Sequence, residues 1–255
     1  MRVEKIVAFA NQKGGVGKTT SAVNTAAALG SLGYKTLLID LDPQGSATSG
    51  VGVSKRGLRY TARNLLAGGC RAQDAVLHTE FDNLDLIPAN IELAEAEFAL
   101  LQTSEGEFQL KNALAEIRRA YDYIIIDCPP SLGMLTVNAL TAAHGVVIPM
   151  PCEYYALEGL MQLSATVSRI KKTTNPRLVM TGILITMYQA RTTLSAQVLA
   201  ELKNYYGDRL FEQKISRSIR LTESPGFGKP ILYYSPRAKS AAEYLALAKE
   251  LHFRV

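Results

Sequence analysis

The sequence is poor in the residues and segments that mark secreted, zinc-binding and membrane-spanning proteins. It has only three cysteines, Cys70, Cys128 and Cys152, and its three histidines show no metal-ligand spacing. Few, odd and widely spaced cysteines exclude a disulfide framework and indicate a reducing compartment. No apolar run approaches the ~20 residues that span a bilayer, and the first residues lack a signal-peptide pattern. We therefore expect a cytoplasmic protein that does not associate with membranes.

The composition is that of a folded protein whose charge is unevenly placed. Of its 255 residues, 47% are apolar and 20% are charged, which fits one large α/β domain spanning residues 1–255. Residues 151–255 carry 15 lysines and arginines against eight acidic residues, whereas residues 1–150 carry 13 against 15. The basic excess in the later part indicates a polyanionic partner, and scattered solubilising charge is an equally good explanation of this feature alone.

Apolar, strand-length runs alternate with helix-like segments along most of the chain. Strands are predicted at residues 5–10, 36–40, 84–87, 123–127, 146–150 and 179–187. Helices are predicted at residues 19–32, 108–121, 134–143, 157–172, 194–206 and 238–251. Residues 43–75 give no clear assignment. The alternation predicts an α/β fold with a doubly wound, mostly parallel sheet covered by helices on both faces.

A glycine-rich loop between the first predicted strand and helix is the strongest local signal. It comprises Lys13, Gly14, Gly15, Val16, Gly17, Lys18, Thr19 and Thr20. Glycines let backbone N–H groups turn towards phosphate oxygens, and the helix that follows adds its positive end. Lys18 is predicted to contact the β- and γ-phosphates, and the Thr19 hydroxyl to bind Mg²⁺. Gln12 replaces the usual first glycine, so this is the deviant form with a second lysine at position 13.

Three carboxylates follow two of the predicted strands. Asp127 ends the run YIIID at the carboxyl edge of the sheet, where open α/β sheets bind ligands, so it is predicted to bind Mg²⁺ directly or through water. Asp42 lies just beyond the run LLID and is predicted to position the attacking water and to belong, with Thr19 and Asp127, to the metal site. Asp40 is expected to be structural or part of the metal network. A lone strand-end aspartate often only caps a turn, but the phosphate loop favours the functional interpretation.

The longer motifs identify a family resemblance. From about residue 3 to about residue 251, the chain resembles the ParA/Soj chromosome- and plasmid-partitioning ATPases of the deviant Walker A group. The resemblance lies in the segments NQKGGVGKTT (11–20), LLIDLDPQGSATSGVG (37–52), YDYIIIDCPPSLGMLTVNAL (121–140), CEYYALEGL (152–160), TMYQARTTLSAQV (186–198) and SRSIRLTESPGFGKPILYYSPRAKSAAEYL (216–245). It implies a P-loop NTPase fold.

What the resemblance implies is an ATP-dependent dimerising switch. ATP and Mg²⁺ lie between two subunits, Lys18 matches the phosphate-loop lysine, and Lys13 matches the lysine that reaches the partner's nucleotide. Asp42 matches the residue needed for hydrolysis, and Asp127 the Walker B aspartate. The ATP-bound homodimer binds double-stranded DNA without sequence preference. A ParB/Spo0J-type partner stimulates the weak hydrolysis to ADP and releases the DNA, which implies a nucleoid-associated protein.

The resemblance also assigns residues in the basic part of the chain. Arg191 and Arg220 match family positions implicated in DNA binding, and Arg217, Lys203 and Lys214 extend the predicted patch. A dimer doubles the number of such side chains on one duplex, and each neutralised phosphate releases counterions. Residues 216–218 match a region near the nucleotide base, so Ser216 and Arg217 are predicted to contact the nucleotide. Ser216 stands where many relatives have proline.

Three alternatives remain open at this point. A MinD-like membrane-positioning ATPase shares the phosphate loop but needs a basic amphipathic helix at its carboxyl end, which the sequence AKELHFRV does not provide. A reductase of the nitrogenase iron-protein type needs two cluster cysteines, and Cys128 has no evident partner. A DNA-binding protein with a vestigial nucleotide pocket is disfavoured by the intact phosphate loop and carboxylates.

Overall fold

The computed structural model describes residues 4–153, 156–190 and 193–255. Its sheet has seven strands in the order β3-β4-β2-β5-β1-β6-β7. All neighbouring pairs are parallel except β3 and β4, which are antiparallel. The strands are β1 (Lys5–Phe9), β2 (Thr36–Asp40), β3 (Leu77–His78), β4 (Leu84–Ile87), β5 (Tyr123–Asp127), β6 (Gly145–Pro151) and β7 (Val179–Thr186).

The central strands are covered on both faces. Every residue of β2 and β5 is buried, which explains why TLLID and YIIID are continuous apolar runs rather than alternating ones. Successive side chains of a strand point to opposite faces, and the core divides accordingly. Ile124 and Ile126 of β5 pack into one apolar cluster, while Tyr123 and Ile125 pack into the other.

Helices contribute to both clusters, so the prediction of a doubly wound sheet is confirmed. The face of Tyr123 is covered by α1 (Lys18–Ser31), α2 (Ser46–Gly50), α10 (Ile219–Glu223), α11 (Ile231–Tyr234) and α12 (Lys239–Arg254). The face of Ile124 is covered by α3 (Ala62–Leu66), α4 (Ala72–Ala75), α5 (Leu93–Gln102), α6 (Gln109–Leu114), α7 (Met134–Ala142), α8 (Ala156–Thr173) and α9 (Thr193–Tyr206).

One predicted helix is shorter than expected. Residues 108–121 form α6 only as far as Leu114, followed by a short 3₁₀ turn at Arg118–Ala120. The bonds Ala115 N to Asn112 O and Ile117 N to Leu114 O span three residues rather than four. This tighter winding brings Ile117 into the core after Leu114 and ends the regular α-helix.

The order of the strands determines where a ligand binds. β1 lies between β5 and β6, so the chain proceeds from β1 to opposite sides of the sheet in its earlier and later parts. Such a reversal opens a crevice beyond the carboxyl ends of the strands. The glycine-rich loop after β1 and the aspartates that end β2 and β5 therefore meet at one edge.

Candidate functional site

The loop that joins β1 to α1 is held in its shape by the protein. Gly15 and Gly17 have φ angles of 72° and 85°, in the left-handed region that favours glycine, and Gly17 caps the start of α1. Thr186, at the end of β7, donates its hydroxyl hydrogen to Val16 O at 2.8 Å. Because the first N–H groups of a helix have no partner inside it, the start of α1 offers donors to an anion.

Lys18 is a buried amine beside this loop. Its relative exposure is only 6%, and Nζ donates to Lys13 O at 3.0 Å. Burial lowers the pKa of Lys18, and the negative charges of Asp127 and Asp42 oppose that shift. An ammonium group has three donors, so one backbone contact leaves Lys18 able to bind further oxygens.

Two buried aspartates stand side by side at the carboxyl ends of neighbouring strands. Asp40 of β2 is paired in register with Asp127 of β5, and both residues are 0% exposed. Burial raises the pKa of Asp40 to about 6, although hydrogen bonds from Thr48 oppose the shift. Burial also raises the pKa of Asp127 well above its usual range, and the charge of Asp40 adds to this effect. The pair therefore resists carrying two negative charges.

The two aspartates differ in their hydrogen bonds. Asp40 Oδ2 accepts from the Thr48 N–H and hydroxyl, both at 2.8 Å, and Oδ1 accepts from Asp42 N at 3.1 Å. Neither carboxylate oxygen of Asp127 has a hydrogen-bond partner among the described residues. The Thr19 hydroxyl is near enough to lower the pKa of Asp127. Asp40 is therefore satisfied by the fold, whereas Asp127 has free oxygens.

The contacts of Thr48 predict a large effect on stability. Its hydroxyl donates to Asp40 and accepts from Ala89 N at 2.9 Å, so Thr48→Val leaves the buried Ala89 N–H without an acceptor and takes one of the two Thr48 donors from Asp40 Oδ2. We expect the free energy of unfolding in urea to fall by about 2–4 kcal/mol. Ser49→Ala is the matched control, since that residue is half-buried and its hydroxyl bonds, among the described residues, only to Gly45 O. An equal loss in both variants would contradict the role given to Thr48.

Asp42 lies in a turn directly after β2. Its Oδ1 accepts from Gln44 N at 2.9 Å, and its carbonyl oxygen accepts from Gly45 N at 2.8 Å. The structure provides no hydrogen bond from any described residue to Oδ2. Asp42 also lines the cavity in front of the glycine-rich loop. One oxygen thus fixes the turn while the other stays available to a ligand or a water molecule.

A cavity of about 580 Å³ brings most of the predicted site residues together. Its wall includes the predicted residues Gly14, Gly15, Gly17, Lys18, Thr19, Thr20, Asp42, Ser216 and Arg217. Lys13, Val16 and Asp127 do not line it. Val16 and Asp127 are buried, and the exposed Lys13 Nζ pairs with Glu153 Oε2 at 2.9 Å. Ser218, Thr222 and Pro230 add a wall away from the phosphate loop.

Ser216 and Arg217 both line this cavity but differ in their hydrogen bonds to the protein. Ser216 donates its N–H and its hydroxyl hydrogen to the carboxylate of Glu243, at 2.9 and 2.6 Å. Its polar groups are thus held by the protein, and proline at this position would lose both bonds. The Arg217 side chain is exposed and has no hydrogen-bond partner among the described residues. Arg217 is therefore the freer of the two to contact a ligand.

Of the two predicted DNA-binding arginines, the structure describes only one. Arg191 lies outside the described residues. Arg220 is exposed at α10, and its Nη1 pairs with Glu223 Oε2 at 3.2 Å. Hydrogen bonding to Tyr234 and the charge of Glu223 raise the pKa of Arg220. An exposed pair of this kind contributes little to stability, so a phosphate group can replace Glu223 at low cost.

Comparison with known proteins decides the family. The model of the AAA domain family AAA_31 matches residues 4–180. The sporulation initiation inhibitor protein Soj of Bacillus subtilis is 51% identical over 247 residues, which cover 97% of this chain and 98% of that protein. The chromosome partitioning protein ParA of Myxococcus xanthus is 47% identical over 98% of this chain and 88% of that protein. The chain belongs to the ParA/Soj family of partitioning ATPases.

A solved structure supports the ParA/Soj fold. Cobyrinic acid a,c-diamide synthase from Mycobacterium smegmatis, with bound ATP analog and magnesium, superposes with a TM-score of 0.86. It is 39% identical, and the match covers 97% of this chain and 93% of that one. The doubly wound architecture inferred from strand and helix alternation is therefore that of known nucleotide-bound proteins.

Several residues of this ParA/Soj site were not predicted from the sequence. Asn11 supports the loop, because Nδ2 donates to Pro149 O at 2.8 Å and Oδ1 accepts from Lys13 N at 3.0 Å. Glu153 holds Lys13, and Glu243 holds Ser216. Asn11 is adjacent to the motif and could have been suspected. Glu153 and Glu243 are distant in the chain, so only the fold reveals their contacts.

Proposed function

We propose that this ParA/Soj protein is a switch that binds ATP and Mg²⁺ in the 580 Å³ cavity and hydrolyses the ATP. The observation that carries the proposal is the set of unused polar groups around the loop. The buried Lys18 ammonium has one backbone acceptor, and the Asp127 oxygens have no hydrogen-bond partner among the described residues. The phosphate oxygens of ATP would accept hydrogen bonds from the remaining Lys18 donors. The magnesium ion would bind the Asp127 carboxylate oxygens, directly or through water.

The donor set fits Mg²⁺ rather than a metal held by the protein alone. In the described part of the chain, no group of three or more His, Cys, Asp or Glu lies so as to hold a metal ion. Mg²⁺ in nucleotide sites takes one or two protein ligands and fills its shell with phosphate oxygens and water. The Thr19 hydroxyl and Asp127 would provide those ligands, and Asp42 would act through water.

Hydrolysis requires an oriented water molecule close to the terminal phosphate. Asp42 is the best-placed group, since its Oδ1 is fixed by Gln44 N and its Oδ2 is not used by any described residue. Lys18 would stabilise the negative charge that develops on the transferred phosphoryl group. The direct test is phosphate release by the purified protein with ATP and magnesium. Turnover that is absent under all conditions would contradict the proposal.

Dimerisation would complete the site through Lys13. This lysine is 43% exposed, and its partner Glu153 is 53% exposed. Such an exposed ion pair contributes at most about 1 kcal/mol, so the phosphates of a nucleotide bound to a second copy can displace Glu153. The exposed position of Lys13, outside its own cavity, suits a residue that acts on the partner's nucleotide.

Binding of the ATP-bound dimer to double-stranded DNA is the output of the proposed switch. Two exposed arginines, Arg220 and the cavity-lining Arg217, would supply positive charge to the DNA-binding surface. Arg191, Lys203 and Lys214 extend the proposed DNA surface. A ParB/Spo0J-type protein is the proposed partner that accelerates hydrolysis and ends DNA binding.

Reversing the charge of Arg220 tests the DNA surface. Arg220→Glu is expected to weaken DNA binding by at least about tenfold at moderate salt and to flatten its salt dependence, since phosphate contacts are lost on both subunits. Basal ATP turnover without DNA should stay unchanged. Arg71→Glu is the matched control, because Arg71 forms the same kind of exposed i,i+3 pair, with Asp74. Equal DNA affinities of the two variants in gel shifts would remove Arg220 from the surface.

A membrane-positioning role is less well supported. Among the described residues, no helix has the length and apolar character needed to cross a bilayer. The apolar face of α12, which includes Tyr244, Leu247 and Leu251, is buried against α1 and the sheet. That face is therefore not available to lie on lipid.

A further inference from the structure

A second cavity, of about 290 Å³, lies at the opposite edge of the sheet. It is lined by Ile6 near the start of β1, His144 just before β6 and Arg177 two residues before β7. These strands are parallel, so their amino ends share this edge, whereas the glycine-rich loop follows the carboxyl end of β1. The two cavities have no lining residue in common.

The second cavity is strongly cationic. Lys111, Arg118 and Arg177 line it together with His144, and no acidic residue does. The neighbouring carboxylate is Glu4, whose Oε1 lies 3.3 Å from Arg118 Nε. Three cationic side chains thus line the cavity, and Glu4 neutralises part of that charge at Arg118, so the cavity attracts anions.

Two donors on side chains of this cavity have no hydrogen-bond acceptor among the described residues, although Arg118 Nε forms an ion pair with Glu4. Arg118 Nε is buried and has no hydrogen-bond acceptor among the described residues, since the approach of Glu4 is not a hydrogen bond. His144 Nδ1 accepts from Ile6 N at 3.1 Å, which leaves the ring hydrogen of the neutral form on Nε2. The ion pair with Glu4 offsets part of the cost of burying Arg118 Nε, and 40% of the Arg118 side chain stays exposed, so a bound anion would give acceptors to the accessible part of this guanidinium and to His144.

Asn175 caps two carbonyl oxygens that would repel an anion. Asn175 Nδ2 donates to Leu140 O at 2.9 Å and to Ala143 O at 2.6 Å. These carbonyl oxygens belong to the carboxyl end of α7, which carries partial negative charge. Asn175 is buried and ties the loop before β7 to α7, so the wall of the cavity is formed before any ligand arrives.

The electrostatics of His144 agree with this arrangement. Burial lowers the pKa of His144, and the positive charges of Arg118 and Arg177 lower it further, while Glu4 opposes them. Both guanidinium groups therefore act on the same ring. A bound anion would screen the His144 ring from these two positive charges.

We propose that this cavity binds a small phosphate-bearing anion, with Arg118, Arg177 and Lys111 neutralising its charge and His144 donating a hydrogen bond. Arginine and lysine are the side chains that best match phosphate oxygens. The volume suits inorganic phosphate or a small phosphomonoester. Apolar residues such as Ile6 and Leu114 form part of the wall, and the concave shape favours a free ligand over a backbone phosphate of a DNA duplex.

The test uses the ring signals of the three histidines in the full-length protein. Inorganic phosphate and glycerol 3-phosphate are titrated in separate NMR experiments at constant pH, with sodium chloride keeping the ionic strength constant. The signals of His144 are assigned by their loss in His144→Gln. We expect a saturable shift of the His144 signals with at least one phosphate ligand, while those of His78 and His252 stay unchanged.

Matched variants and a DNA arm decide the outcome. Arg177→Gln is expected to weaken the phosphate affinity seen at His144 by at least about tenfold, because a charge-assisted contact is lost. Arg119→Gln, an exposed neighbour of Arg118 that does not line the cavity, should leave it unchanged. No saturable His144 shift with phosphate, or equal weakening by both variants, would overturn the proposal. A saturable shift with a short DNA duplex but not with phosphate would overturn it in favour of a nucleic-acid surface.

Discussion

Replacing Lys18 with alanine is expected to weaken ATP binding by at least ~100-fold, because the variant loses the ammonium group that we propose to contact the phosphates. The loss applies to both ATP and ADP in the presence of magnesium, and turnover should fall with binding. Lys18 is 6% exposed, and among the described residues its ammonium donates only to Lys13 O. Isothermal titration calorimetry measures the effect directly.

Stability is a separate issue for this variant. Burial already lowers the pKa of Lys18, so the buried ammonium is costly to the folded protein and its removal should not unfold it. Thermal melts of Lys18→Ala without nucleotide are therefore expected to match those of the parent within a few degrees. Lys35→Ala, at an exposed lysine just before β2, controls for the loss of one positive charge. Unchanged ATP affinity in a folded Lys18→Ala protein would contradict the assignment of the loop.

Replacing Asp42 with alanine is expected to separate binding from hydrolysis. Turnover should fall by at least ~100-fold, the contribution typical of a residue that positions or activates water. ATP affinity should change little, because Asp42 carries the same sign of charge as the phosphates and does not hold them. The protein should then persist as an ATP-bound dimer in sizing chromatography. A monomer under these conditions would count against the proposed switch.

The turn role of Asp42 is tested by a second variant. Asp42→Asn keeps an oxygen that accepts from Gln44 N, so the turn after β2 is retained while the negative charge is lost. If Asp42 acts on water through its charge, the ATP turnover of Asp42→Asn is expected to be nearly as low as that of Asp42→Ala. Recovery of most turnover in Asp42→Asn would show that the residue acts through the turn alone.

The sequence predicted the parts of the fold that have strong local signals. The runs TLLID and YIIID became strands at the predicted residues, because continuous apolar segments of this length suit a sheet covered on both faces. The glycine-rich loop is likewise a local signal. Gly15 and Gly17 have the left-handed conformations that this loop needs, and the predicted helix begins one residue earlier, at Lys18.

The features that were not predicted depend on contacts between distant parts of the chain. The short β3 is defined by its pairing with β4, not by its own two residues. The sequence left Asp40 as either structural or part of the metal network, and only the fold shows that Thr48 donates to it while Asp127 has no hydrogen-bond partner among the described residues. The pairing of Lys13 with Glu153 spans 140 positions, so no window of sequence reveals it.

The most direct test of the proposed switch is DNA affinity as a function of nucleotide state. Binding of a short duplex is measured at several salt concentrations, with ADP and with a slowly hydrolysed ATP analogue, each in the presence of magnesium. The predicted result is tight, steeply salt-dependent binding with the ATP analogue and weak binding with ADP. Equal affinities and equal salt dependence in the two nucleotide states would contradict the claim that ATP controls DNA binding by this protein.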